Sequence, residues 1–384
     1  MDTAPEIVSD EAGSFPWSVL HDRHPALIDK VRHGLPYPPM IQRALDELAE
    51  QTQDVIRPLP ASAADHDLWR ERAGEYLGRS WYAVPFLWSE SYFYRLLLGA
   101  VGYFDGPWRG VDPFEPFKSE ELRTGALARD LAALDDLDRL SVADQDAALL
   151  SASLWGNRAD LGFQISTRLD QDGQGALVAD QSARLWELLA GSAPGTVCVV
   201  ADNAARELVP DLVLADQLLT TGRARTVVLH VKPHPYYVSD AVTADVVAAL
   251  RTMSAASGRA ALTGRRLWRS VVDGTLVVRA HPFSCAPWSY HRAPADLADD
   301  FASATVTVMK GDLNYRRLVG DREWPNATAF EAVTAYFPGP VAAIRTLKSD
   351  VVVGVSDEQR ARLDATGERW RTSGTHALVQ VRDR

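Results

Sequence analysis

Thr196-Val197-Cys198-Val199-Val200 runs directly into Ala201-Asp202-Asn203, and this stretch decides the fold. A β-branched and apolar run without polar alternation reads as a strand buried on both faces, the habit of parallel sheets. Similar runs recur at Thr226-Val227-Val228-Leu229-His230-Val231, Thr275-Leu276-Val277-Val278, Thr305-Val306-Thr307-Val308-Met309 and Val351-Val352-Val353. Each is followed by polar or turn residues and then by helical pattern. Strands alternating with helices predict an α/β fold with a mainly parallel sheet covered on both faces, an α/β/α sandwich.

Upstream, the texture is helical. Apolar residues stand three and four apart at Ile41-Ala44-Leu45-Leu48, Leu127-Leu131-Leu134 and Ala183-Leu185-Leu188-Leu189. Trp and Tyr crowd Trp81 to Tyr94, and Gly106-Pro107, Gly110 and Pro113 read as loop. A boundary at Pro194-Gly195 gives a helical N-terminal domain over residues 1–192 and the α/β/α domain over 193–384.

The whole is ordinary globular material: 384 residues, 46% hydrophobic and 24% charged. Its formal charge of −11 disfavours a nucleic-acid backbone or an anionic membrane as the main partner. Two cysteines, Cys198 and Cys285, cannot build a disulfide framework or a four-cysteine zinc site. No apolar stretch approaches the ~20 residues of a membrane helix. The acidic start, Met1-Asp2-Thr3-Ala4-Pro5-Glu6, shows no secretory signal, so a cytoplasmic enzyme is expected. The sequence leaves the oligomeric state open.

Ligands of open α/β sheets bind beyond the carboxyl ends of the strands. The first strand delivers Asp202-Asn203, the second Lys232 and the loop Pro233 to Asp240, the Thr305 strand Lys310 to Arg316, and Arg345 to Asp350 lies before the Val351 run. Asp202, Asn203 and Asp240 supply the hard oxygens that a divalent cation prefers. Lys310, Arg316 and Lys348 supply charge for phosphate oxygens. The bland alternatives are a turn or helix cap for Asp-Asn and solvated lysines.

Other signals fall away. Gly173-Gln174-Gly175 follows a polar run and reads as loop, not as a dinucleotide fingerprint. His230 and His234 have zinc-helix spacing, yet Pro233 and Pro235 prevent a helix there. Cys198 sits in an apolar strand as core, and no partner motif supports Cys285 as a nucleophile. The Trp-rich helices read as core and pocket lining.

Asp202-Asn203-Ala204-Ala205-Arg206-Glu207-Leu208 with Asp211 to Asp216 resembles the signature of the metal-dependent damage-control phosphatases, formerly domain of unknown function 89. Lys232-Pro233 with Val238-Ser239-Asp240, Lys310 to Arg316, and Arg345-Thr346-Leu347-Lys348 resemble its later blocks in order. Glu90 to Arg95 and Leu154 to Leu161 resemble its N-terminal blocks. The Arg-Thr-any-Lys block marks the sugar-phosphate subfamily, subfamily III, which includes proteins also proposed to methylate carboxyl groups.

The resemblance implies a helical domain packed on the sandwich, with the pocket between them. It implies a divalent metal (Mn²⁺, Co²⁺, Ni²⁺ or Mg²⁺) on Asp202, Asn203 and Asp240, with Asp202 and Asp240 as catalytic carboxylates. Substrate contacts would come from Asp202, Asn203, Glu207, Lys310, Asp312, Leu313, Asn314, Tyr315, Arg316 and Lys348. The implied activity is hydrolysis of small phosphorylated metabolites such as fructose phosphates. The alternatives are an S-adenosylmethionine-dependent carboxyl methyltransferase, where Glu207 would meet the donor, and a binding protein without turnover. The family has Gly and an aromatic where this chain has Ala205-Arg206, so Arg206 is expected either to be solvated or held in a salt bridge, or to add a phosphate contact or alter substrate choice. Pro210 is expected near the start of the following helix.

Overall fold

Seven strands form one sheet in the computed structural model, which describes residues 4–156 and 176–383. They are β1 (Ala176–Asp180), β2 (Gly195–Val200), β3 (Ala224–Val231), β4 (Leu276–Ala280), β5 (Val306–Lys310), β6 (Val341–Thr346) and β7 (His376–Arg382). Their order is β1-β7-β6-β5-β2-β3-β4. Every pair is parallel except β6 with β7. The α/β class and the mainly parallel sheet are therefore as the apolar runs predict.

Strand alternation sends side chains to two faces. Val197 and Val199, Val227 and Leu229, Val306 and Val308, and Ala342 and Ile344 pack with helices Val142–Trp155, Leu208–Thr220, Thr243–Ala255 and Gly258–Asp273 in one core cluster. The opposite parity meets other helices. His230 lies 5.3 Å from the Phe301 ring, Gln380 accepts from the Tyr315 hydroxyl, and Arg382 donates to the Phe337 carbonyl. Both faces are covered by packed chain, which accounts for the apolar runs of the inner strands.

One run is not a strand. Val351-Val352-Val353 is buried irregular chain, and β6 lies ahead of it at Val341–Thr346. Side chains replace the ladder there: the Val351 carbonyl accepts from Arg345, the Val353 N–H donates to Tyr315 Oη, and Gln380 Nε2 donates to the Val353 carbonyl. Buried backbone groups need partners but not necessarily strand partners. Arg345-Thr346 thus ends a strand, and Lys348 follows its carboxyl end.

The chain divides into two compact units, neither bounded at 192/193. One comprises Met1–Phe117, His234–Val238 and Asp321–Glu323; the other comprises Lys118–Pro233, Ser239–Gly320 and Trp324–Arg384. The helices between Gly125 and Ala190, together with β1, go with the sheet because their apolar faces close its core. In the first unit, helix Phe86–Ala100 is buried along nearly its whole length. Trp69, Trp88 and Tyr92 pack ring to ring, and Tyr236 Oη donates to Ser91 Oγ at 2.6 Å. Asn157 to Leu161 of the N-terminal block, and the Gly173 to Gly175 loop, lie outside the described residues. No helix among the described residues is long and apolar enough to cross a membrane.

Candidate active site

From β2 the chain moves outward to β3 and β4 and then returns to β5 on the other side of β2. The order reverses between β2 and β5, the place where open sheets hold ligands. Here β2 delivers Asp202 to Glu207, and β5 delivers Lys310 to Arg316. The segment after β3 folds back onto the end of β2: Ala241 N–H donates to the Asp202 carbonyl at 2.9 Å, and Ala204 N–H donates to the Ser239 carbonyl at 2.6 Å. A bridge between Asn203 and Asp240 completes the stitch, so Asp240 stands beside Asn203 although 37 positions separate them.

Ala205 turns the chain with φ of +54°, the left-handed conformation that glycine adopts without strain. Helix Leu208–Thr220 then begins, with Glu207 at its cap and Pro210 in the first turn, where a missing N–H leaves no helical bond unmade. Asn203 Nδ2 donates to Asp202 Oδ2 at 3.2 Å and to Glu207 Oε2 at 3.0 Å, while its Oδ1 accepts from Ser239 Oγ at 2.6 Å. Asp202, Glu207 and Asp240 are all buried.

Two glycines permit this crowding. Gly311 has φ of +81°, and a Cβ on it would lie 1.9 Å from Asp202 Oδ2 and 2.1 Å from Cγ. A Cβ on Gly156 would lie 2.6 Å from Glu207 Cγ. The carboxylates rest on bare backbone.

The cations are individually anchored. Lys310 Nζ, buried, lies 3.1 Å from Asp211 Oδ1 and donates to the Ser153 carbonyl, and Ser153 Oγ donates to the same Asp211 oxygen. Asp312 Oδ1 accepts from Arg345 Nε at 2.9 Å, from the Lys348 backbone N–H at 3.1 Å and from Ser349 Oγ at 3.2 Å. Arg345 is fully buried, and it also donates to the Ser349 carbonyl at 3.1 Å. The Arg-Thr-any-Lys block therefore works as a folded clamp: Arg345 fixes the turn and Lys348 is what the turn presents. Lys118 Nζ braces the other wall, donating to the Asp240 carbonyl and to Asp245 Oδ2 at 3.0 Å each.

The rest of the Asp312 block faces inward. Asn314 Nδ2 donates to the Lys310 carbonyl at 2.7 Å and the Ala201 carbonyl at 3.0 Å, tying the ends of β5 and β2 together. Tyr315 Oη is held by Gln380 and Val353, Leu313 is buried, and Arg316 is buried with its charge favouring ionised Asp312. Arg206 reaches the carboxylate of Asp130. Its Nε donates to Asp130 Oδ2 at 2.6 Å, which is the salt bridge expected of it.

Electrostatics sort the acids. Burial, then Glu207 and Asp240, push the Asp202 carboxyl well above the usual carboxylate range against the pull of Lys348 and Lys310. Burial opposes ionisation of Glu207 too, but Lys348, Lys310 and the Asn203 amide overcome it and hold its carboxyl below the usual range. Asp312 is likewise held down, with Arg345 and Arg316 outweighing burial. Among the described residues no three His, Cys, Asp or Glu side chains form a metal-holding group; the Asp202, Asn203 and Asp240 set has two carboxylates and an amide. The two carboxylates are hard oxygen donors of the kind a divalent cation prefers, and the Asn203 amide oxygen, as placed, accepts from Ser239 Oγ.

The family described as "Damage-control phosphatase ARMT1-like domain" matches residues 19–363. The chain belongs to that family. Proteins named damage-control phosphatase ARMT1 from Rattus norvegicus, Danio rerio and Homo sapiens are 30%, 28% and 28% identical to it, covering 97%, 96% and 96% of this chain. The alignments take in 97%, 94% and 96% of those relatives. A DUF89 family protein from Pyrococcus horikoshii shares the fold, with a TM-score of 0.50 and 16% identity over 91% of this chain and 94% of that one. In this damage-control phosphatase family member, the Asp202 to Glu207, Lys310 to Arg316 and Arg345 to Lys348 blocks follow the carboxyl ends of β2 and β5 and close β6.

Sequence reasoning quoted Asp211, Ser239, Gly311 and Arg345 within its blocks but gave them no role, and it missed Ser153 and Lys118 altogether. Gly311 and Ser239 lie inside the quoted blocks and could have been found there. Lys118 and Ser153 carry no local signal, since only the tertiary fold brings them near.

Proposed function

We propose that this damage-control phosphatase family member is a divalent-metal-dependent phosphomonoesterase acting on small sugar phosphates such as fructose phosphates. The observation that carries the reading is the crowd of buried carboxylates at the β2–β5 crevice, facing Lys348 and Lys310. Asp202, Asn203 and Asp240 would hold the metal ion. When bound, it would supply a Lewis acid to the phosphoryl group. Asp202, pinned by Asn203 and by the Gly311 backbone, presents one fixed carboxylate to the reacting phosphorus or to the attacking water. Lys348 offers a point charge to the phosphate oxygens, and Asp312 keeps its loop in place. The sugar-phosphate class is supported by the Arg345 to Lys348 block.

Neither the methyltransferase nor the non-catalytic reading is favoured. The relatives are named as phosphatases, and Ala204-Ala205 stands where a glycine-rich donor loop would follow β2.

The test is phosphate release from a panel of fructose, glucose and related phosphates, with each divalent metal and after exhaustive chelation. Release that needs metal and fails in Asp240→Asn is expected. No release from any metal-loaded sample overturns the activity, and release that survives chelation overturns the metal.

A further inference from the structure

The hairpin of helices Thr243–Ala255 and Gly258–Asp273 carries a groove of about 720 Å³ lined by Arg251, Ser254, Arg265, Trp268, Arg269 and Val272. Its floor is rigid. A Cβ on Gly264 would come 2.6 Å from the Ser254 backbone nitrogen, so the two helices touch backbone to backbone beneath it.

The second helix is apolar twice over. Ala260, Ala261 and Leu267 face the core. On the outside, Leu262, Trp268, Val271 and Val272 are four of the nine large apolar side chains exposed among the described residues, and Val272 is 75% exposed. Such concentration on one helix marks an interaction surface rather than scattered exposure.

The charges on this surface are not spent internally. Arg259 and Arg266 on the same helix pair with Asp138 and Asp216. Arg251, Arg265 and Arg269 have no carboxylate partner among the described residues, although Asp273 lines the same groove. Arg265 and Arg269 stand four apart, the spacing at which like charges repel on a helix. Ser254 Oγ is buried without a hydrogen-bond partner. A cationic, aromatic groove on a chain of net charge −11 has the complementarity of an acidic ligand.

We infer that this groove docks an acidic segment of a partner protein, seating an apolar side chain against Trp268 and Val272 and its carboxylates on Arg251, Arg265 and Arg269. Trp and Arg are the residues that dominate protein interfaces. A nucleic-acid backbone suits the site less, since the remaining acidic surface would repel it.

The test uses the whole protein and a short fluorescein-labelled peptide of alternating Glu and Leu, read by anisotropy, with its Lys-for-Glu counterpart as control. Saturable binding of the acidic peptide alone is expected, weakening with salt as screened charges do. Arg251→Glu with Arg265→Glu and Arg269→Glu, and separately Trp268→Ala, should each weaken it by about tenfold or more. Phosphate release should stay at the wild-type rate in both variants, which also shows that they fold. Absent binding, or equal binding by the variants, overturns the proposal. Tighter binding of a labelled single-stranded RNA, or a wild-type dimer that the same substitutions dissociate, overturns it in favour of those occupants.

Discussion

Gly311→Ala isolates the contact on which the proposed chemistry depends. A Cβ there would lie 1.9 Å from Asp202 Oδ2, so the carboxylate must retreat by about 1.5 Å to reach ordinary contact distance. The left-handed backbone at φ of +81° adds about 1–2 kcal/mol for any residue with a Cβ. Overpacking against Asp202 adds about 1–3 kcal/mol. Displacement of a reacting group by ~1 Å costs on the order of 100-fold in rate. Gly274→Ala is the matched control, with φ of +75° and nothing within 4 Å, so it carries the backbone strain alone. The measurements are kcat/KM for phosphate release and urea melts of both variants. Gly311→Ala should lose on the order of 100-fold in kcat/KM and exceed the control's stability loss by about 1–3 kcal/mol, while Gly274→Ala keeps wild-type turnover. A Gly311→Ala enzyme as active as Gly274→Ala would refute the claim that Asp202 must sit against bare backbone.

Arg345→Met should destabilise by about 3 kcal/mol at neutral pH, because it strands a carboxylate inside the protein. In the wild type Asp312 is held below the ordinary range, so its contribution to stability is complete above about pH 4 and is lost as pH falls through the depressed value; denaturant melts in acid should show that loss flattened in the variant, and an unchanged acid slope contradicts the pairing. Arg206→Phe should leave the ratio of kcat/KM for a sugar bisphosphate and monophosphate unchanged while lowering stability by about 2 kcal/mol through loss of the ion pair with buried Asp130, and a shifted ratio would restore Arg206 to the substrate. Ala205→Gly should raise the melting point by relieving the left-handed turn, for a net gain of about 1 kcal/mol or less in a denaturant melt; a lower midpoint contradicts it.

The sequence made the fold legible where burial on both faces suppressed polar alternation. Four of the five runs became β2, β3, β4 and β5, all interior or parallel-paired. The failures have a common cause. Val341–Thr346 has its β-branched residues interrupted by two alanines and an arginine, so no continuous run marks it, yet neighbours on both sides pin it. Val351 to Val353 has the texture but gives its backbone groups to Arg345, Tyr315 and Gln380. At the site, Asp202 and Asn203 were legible as strand-end residues. Asn314 and Tyr315 sit in the Lys310 to Arg316 block, but their neighbours are the end of β2 and the Val353 chain, which no spacing rule reveals. Arg206 illustrates the limit: its partner Asp130 is 76 positions away.

The position of β1 has a consequence for how the chain reaches this state. Its neighbour in the sheet is β7, with Ala176 aligned to His376, two hundred positions along the chain. Pairings of such long range close large loops before any contact rewards them, and they form late. β2 to β6 can assemble around β2 first, while β1 waits beside an edge that does not exist until β7 docks antiparallel on β6. Val178 should therefore behave as a late position: Val178→Ala should speed unfolding and leave the folding rate almost untouched. The same delay leaves the outer edge of β7 open in transit, so the half-assembled sheet, rather than the finished one, is the form in which this protein is most exposed to strand-to-strand aggregation.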